Sequence, residues 1–128
     1  MNSTEISIFI YGLKKKNEMT FDFALEYIPR RMKELGHGTD YHLRLKYLSL
    51  APAEIRTIEA YNQLLILVVV GNSIKVESEM GMYDFTDINL REFQFEHTGL
   101  ITMTNKSDDS NNIQFIQVIP KKKFDARN

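Results

Sequence analysis

The 128-residue sequence has no cysteine, no tryptophan and only three prolines. Without cysteine it has no thiol nucleophile, no thiolate metal site and no disulfide framework, a composition that suits a reducing compartment. Net charge is also lacking, since sixteen Lys and Arg stand against seventeen Asp and Glu for a formal charge of −1. No long-range field therefore draws the whole protein to nucleic acid or to an anionic membrane. Basic residues cluster in the runs Lys14–Lys16 and Lys121–Lys123 and at Arg30, Arg31 and Lys33. Such runs at turns and tails are ordinarily solvated, and contact with phosphate backbones through them is a minority expectation. The longest apolar run, Leu64 to Val70, falls far short of the roughly 20 residues a bilayer-spanning helix needs. In MNSTEISIFIYGLKKK the lysines follow a short, interrupted apolar segment, the reverse of a cleaved leader. The expectation is a soluble domain made in the cytosol, without a membrane partner.

What is present is a folded-domain composition, 43% hydrophobic and 26% charged, with no internal repeat and no linker. One domain is expected, with residues 1–39 as a strand-plus-helix arm, 40–120 as the core and 121–128 as a basic tail. The strongest local pattern is QLLILVVVGNSIKVESEM, Gln63 to Met80. An unbroken apolar run, a Gly71-Asn72 turn and an alternating run with Ile74, Val76 and Met80 on one face predict a hairpin. The alternating strand needs one covered face, whereas Leu64–Val70 needs two. Its second face is left to the segment Phe21–Leu35 or to another chain.

The remaining elements follow in order. Thr4–Tyr11 alternates and reads as a strand that could extend a neighbour's sheet edge. Thr20–Leu35 has the stripe Phe21, Ala24, Leu25, Ile28, Met32 and Leu35, with acidic residues early and basic ones late. This predicts a helix bent near Pro29, although Phe21, Phe23, Leu25 and Tyr27 also alternate as in a strand. Tyr41–Leu50 alternates apolar and basic residues as a half-buried strand. Glu54–Ala60 reads as a short strand, with a helical turn as the alternative. Gly81–Asp87 reads as a loop, and Asn89–His97 and Gly99–Asn105 as two strands. Ile113–Ile119 closes a second hairpin with Gly99–Asn105 across the polar turn KSDDSNN. Seven to eight short strands with one N-terminal helix predict a mainly β fold, an antiparallel β-sandwich or jelly-roll-like barrel.

Candidate chemistry is sparse. His37, His42 and His97 show no metal-ligand spacing and read as surface histidines. Asp84, Asp87, Asp108 and Asp109 lie in loops where aspartate is a turn former. No nucleophile elbow, phosphate-cradling glycine loop or dinucleotide fingerprint occurs, so neither an enzyme nor a cofactor is expected. Tyr83, Asp84 and Phe85 make the candidate exposed loop, where a flat ring could stack on a sugar. Ile8, Phe9, Tyr11, Leu65 and Leu67 make the candidate assembly surface.

Five motifs in order carry a resemblance: DYHLRLKYLSLAP (Asp40–Pro52), IEAYN (Ile58–Asn62), VESEMGMYDFTD (Val76–Asp87), EHTGLITMTN (Glu96–Asn105) and IQFIQVIP (Ile113–Pro120). Together they resemble a small structural protein of crAss-like tailed bacteriophages. The resemblance covers Asp40 to Pro120, and none of its motifs is catalytic. It implies a virion component made in the bacterial cytoplasm and assembled with copies of itself or with a capsid, portal or neck protein. An auxiliary capsid or head-tail role is the expectation. A stand-alone ligand- or glycan-binding β-sandwich and a bacterial regulatory or immunity domain are the alternatives.

Overall fold

The computed structural model describes residues 21–71, 73–84 and 94–121. Helix α1 (Phe21–Glu34) is followed by six strands: β1 (Tyr41–Leu50), β2 (Ile55–Val69), β3 (Ile74–Ser78), β4 (Gly81–Asp84), β5 (Glu96–Asn105) and β6 (Asn111–Pro120). All six join one sheet in the order β1-β6-β2-β5-β3-β4, with every pairing antiparallel. The mainly β, antiparallel expectation with one helix therefore holds, and the expected strand Thr4–Tyr11 lies outside the described residues. Among the described residues, however, the strands form a single open sheet ending at β1 and β4, rather than a closed barrel.

The helix forms because its apolar residues recur at helical spacing. Ala24, Ile28 and Met32 are fully buried, Asp22 occupies the first turn, and Arg31 and Lys33 occupy the last. Full burial of Ile28 and Met32 stabilises this packing by about 1.5–3 kcal/mol each. The helix runs through Pro29, which costs about 3 kcal/mol in a helix interior and is offset by that packing. Its end is a Schellman closure. The His37 N–H donates to Met32 O at 2.9 Å and the Gly36 N–H to Lys33 O at 3.0 Å, with Gly36 at φ 86°.

Two buried clusters lie on opposite faces of the sheet. Leu64, Ile66 and Val68 of β2 join Ile116 and Val118 of β6 under Ala24, Ile28 and Met32. Leu65 and Leu67 point the other way, into a cluster that draws on all six strands and includes Leu50, Ile74, Val76, Tyr83, Ile101, Met103 and Ile113. The helix is thus the cover for one side of the doubly apolar run.

Both predicted hairpins are overturned by the pairing. β2 and β3 do not pair, because β5 lies between them, and β5 and β6 are likewise separated by β2. The apolar run is apolar on both faces because it is an interior strand, flanked by β6 and β5 rather than by its sequence neighbour. Gly71 does take a positive φ of 67°, and a Cβ there would stand 2.7 Å from Asn111 Oδ1. The turn chemistry is therefore real, but it redirects the chain across the sheet instead of closing a hairpin. Among the described strands the one sequence-adjacent pair is β3–β4, where Ser78 stands opposite Gly81.

Glu54–Ala60 and the apolar run are also one strand rather than two. β2 is fifteen residues long and gains a second partner along its length. Ile55–Ala60 pairs with β5 alone, whereas the apolar run keeps β5 at Leu65 and Ile66 and adds β6 along Leu64–Val69. Between the pairs Ala60↔Gly99 and Leu65↔His97, Tyr61–Leu64 of β2 stands against Thr98 alone, and Asn62 takes φ 62°. The Thr98 hydroxyl lies 3.2 Å from Ala60 O and 2.6 Å from Gln63 O and so pins this bulge.

Candidate functional site

Among the described strands, β1 is the one whose residues lie mostly in solvent on both faces. His42 through Tyr47 are all exposed, and only Leu50 is fully buried. It is an end strand of the sheet, hydrogen-bonded to β6 on one side and to no described strand on the other. Opposed residues of an antiparallel pair share a face. Leu43 opposes Val118 and Leu45 opposes Ile116, so the row Leu43, Leu45, Tyr47 continues the helix-side cluster outward, beyond the helix. These residues are 44%, 39% and 68% exposed. The other face of the same stretch carries His42, Arg44 and Lys46. Among the described residues neither the Arg44 nor the Lys46 side chain makes a hydrogen bond or ion pair.

A second feature lies where the helix meets β5. Glu96 is 4% exposed. Its carboxylate accepts from Arg31 Nε at 2.9 Å, from Arg31 Nη2 at 3.1 Å and from the Tyr27 hydroxyl. This bidentate pairing raises the Arg31 pKa further above its ordinary value, against the opposing effect of desolvation. Burial, reinforced by the neighbouring carboxylate, raises that of the Tyr27 phenol. Phe95 packs edge-on against Tyr27 and Phe23, with ring centroids 4.9 and 6.0 Å away.

Two shallow depressions flank this pair. One, of about 260 Å³, is lined by Arg31, His37, Asn62, Gln63 and Met80 among others. The other, of about 330 Å³, shares Arg31, Met80 and Glu96 with it. The guanidinium is engaged by Glu96 and, at 3.4 Å, by Glu34. The arrangement clamps the helix to the sheet rather than presenting a cation to a ligand.

His97 corrects the surface-histidine reading. It is fully buried. Its Nε2 lies 2.8 Å from Gln94 O and its Nδ1 2.7 Å from Ser78 Oγ. A carbonyl only accepts, so Nε2–H donates to Gln94 and Nδ1 accepts from the Ser78 hydroxyl. Desolvation by burial lowers the His97 pKa and outweighs the opposing Gln94 hydrogen bond and the charge of Glu96. Neither depression reaches Ser78 or His97, so the pair ties β3 to β5.

The expected sites fare unevenly. Leu65 and Leu67, read as assembly surface, are 1% and 0% exposed, because an interior strand has both faces covered. Tyr83 and Asp84 form strand β4 instead of an exposed loop. Tyr83 is fully buried, and Asp84 accepts from Lys106 Nζ at 2.9 Å. Ile8, Phe9, Tyr11 and Phe85 lie outside the described residues, as do Lys14–Lys16, Lys122, Lys123 and Asp87. Arg31 turns to Glu96, away from any patch with Arg30 and Lys33. In the turn after β5 the side chains that accept backbone N–H groups are Asn105, from Ser107 at 3.0 Å, and Ser107, from Asp109 at 2.9 Å.

Among the described residues, no group of His, Asp and Glu is placed to hold a metal, and no helix is long and apolar enough to cross a membrane. Comparison with protein-family models, with curated proteins and with solved structures finds no match.

Proposed function

We propose that this protein is a structural component of a tailed-phage virion, an auxiliary capsid or head-neck protein that acts by protein–protein assembly. Two things support the reading. The ordered motifs between Asp40 and Pro120 resemble a small structural protein of crAss-like phages. The observation that carries it is β1, a ten-residue end strand that no other described strand covers on its outer edge, with Leu43, Leu45 and Tyr47 in solvent. A long, apolar, open strand edge is a liability in a solitary protein and a ready template for another chain. In this reading the protein is made in the bacterial cytoplasm and resides in the mature particle. Its partners are copies of itself or a larger capsid, portal or neck protein.

Mass spectrometry of purified particles from a host carrying the coding sequence tests this. Recovery in a fixed ratio to the major capsid protein is expected, and absence from intact particles overturns it. The alternative, a stand-alone ligand-binding module, draws on the depression beside Arg31 and Gln63. Chemical-shift changes confined to those residues on titration with simple sugars would favour it.

A further inference from the structure

We infer that the open edge of β1 takes an extended segment of a partner protein, one that alternates acidic and apolar side chains. The inference rests on reading the protein as one that docks on another protein, and it names the chemistry of what docks. A strand added to β1 would continue the pleat, so its side chains would line up with the two rows already there. One row would meet Leu43, Leu45 and Tyr47, and the other His42, Arg44 and Lys46. The first row asks for apolar partners. The second leaves Arg44 and Lys46 without a carboxylate among the described residues, and acidic side chains directly opposite would supply one.

The same row disfavours a second copy of this chain as the occupant. Two β1 strands related by a two-fold axis through Leu45 place Arg44 of one copy opposite Lys46 of the other. Centring on Arg44 places that guanidinium opposite its own copy. Like charges directly opposite in adjacent strands are destabilising. The basic row therefore acts as a selector: it resists pairing of the edge with itself and admits an acidic strand. Nucleic acid is a poorer fit, because phosphate contacts leave the apolar row in water and the formal charge is only −1.

The test uses the full chain and two fluorescein-labelled peptides, Glu-Val-Glu-Val-Glu-Val-Glu and its counterpart with lysine for glutamate. Fluorescence anisotropy should show binding of the glutamate peptide and none of the lysine peptide. Hydrogen exchange should show new protection at alternate amides of Tyr41–Ser49. The exposed double variant Arg44→Glu/Lys46→Glu should weaken binding about tenfold, as expected for two partly exposed ion pairs reversed in sign. The pair Leu43→Ser/Leu45→Ser should weaken the glutamate peptide without changing the circular dichroism spectrum.

Equal binding of the two peptides, protection away from β1, or preferential binding of a DNA or RNA oligonucleotide at this strand would overturn the inference. So would a dimer by sedimentation whose protected amides lie in β1. The assembly reading fails separately. Protein found in particles but indifferent to the acidic peptide sinks only this inference, whereas peptide binding by a protein absent from particles sinks only the virion placement.

Discussion

Arg31 and Glu96, sixty-five positions apart, make a two-point contact in which Nε lies 2.9 Å from Oε1 and Nη2 lies 3.1 Å from Oε2. The contact fixes the last turn of α1 against the start of β5. Glu96 is nearly out of solvent, so losing its partner strands a buried carboxylate. Arg31→Ala should cost about 3 kcal/mol, measured as a fall in unfolding free energy in urea, whereas Arg31→Met with Glu96→Leu should recover much of the loss. Equal stability of Arg31→Ala and wild type would show the pair to be idle.

His97 gives the fold a pH dependence with a definite sign. Burial lowers its pKa in the folded state. On acidification the unfolded chain takes up the proton first, near its ordinary value of about 6.5. Stability contributed by the neutral ring is thus full above that value and is lost as pH falls through it toward the folded-state pKa. Urea midpoints measured from about pH 7 to pH 5 should fall more steeply for wild type than for His97→Gln. Parallel slopes would show that His97 is not the titrating group.

Asn105 is a buried hub at the far end of the sheet. Its Nδ2 lies 3.2, 3.0 and 2.8 Å from the carbonyl oxygens of Leu50, Ala51 and Asp109. Its Oδ1 accepts from the Ser107 N–H and from Asn111 Nδ2. One side chain thereby joins the ends of β1, β5 and β6. Asn105→Ala leaves several of these groups unmatched and should cost about 2–3 kcal/mol in thermal or urea unfolding. Asn105→Asp loses the donors and sets a carboxylate against carbonyl oxygens, so it should be worse still.

The covered faces of β2 and the bare faces of β1 predict opposite behaviour for similar substitutions. Leu65→Asp and Ile66→Asp should each prevent folding, because the two side chains enter different buried clusters. Leu45→Asp, on exposed β1, should change stability by less than about 0.5 kcal/mol. Circular dichroism and size-exclusion profiles of the three proteins check this together.

The sequence made the helix legible because Ala24, Ile28 and Met32 recur at its spacing and their burial is a local consequence. It also showed that Leu64–Val70 needs two covers, and the helix supplies one of them. The strand pairing was not legible, since a glycine turn specifies a change of direction but not which strand is met next. Gly71 has the expected positive φ, yet β5 enters between its flanking strands. Glu96 resembled any wet-face residue of an alternating strand, and nothing local marked Arg31 as its partner. The alternation of β1 correctly gave a strand, but alternation records two kinds of face and not whether the apolar one is covered. Exposure of Leu43, Leu45 and Tyr47 is a property of where the helix stops.

The position of both partners of β2 far downstream in the chain has a consequence for how the chain is made. Neither half of that strand can be hydrogen-bonded until residues well downstream exist, because β5 begins at Glu96 and β6 ends at Pro120. At roughly 5–20 residues per second the apolar run stays unpaired for seconds after it leaves the ribosome. Pairings this remote in sequence also close slowly. The nascent chain is therefore most at risk of aggregation before β6 emerges, the interval in which a chaperone would act on it.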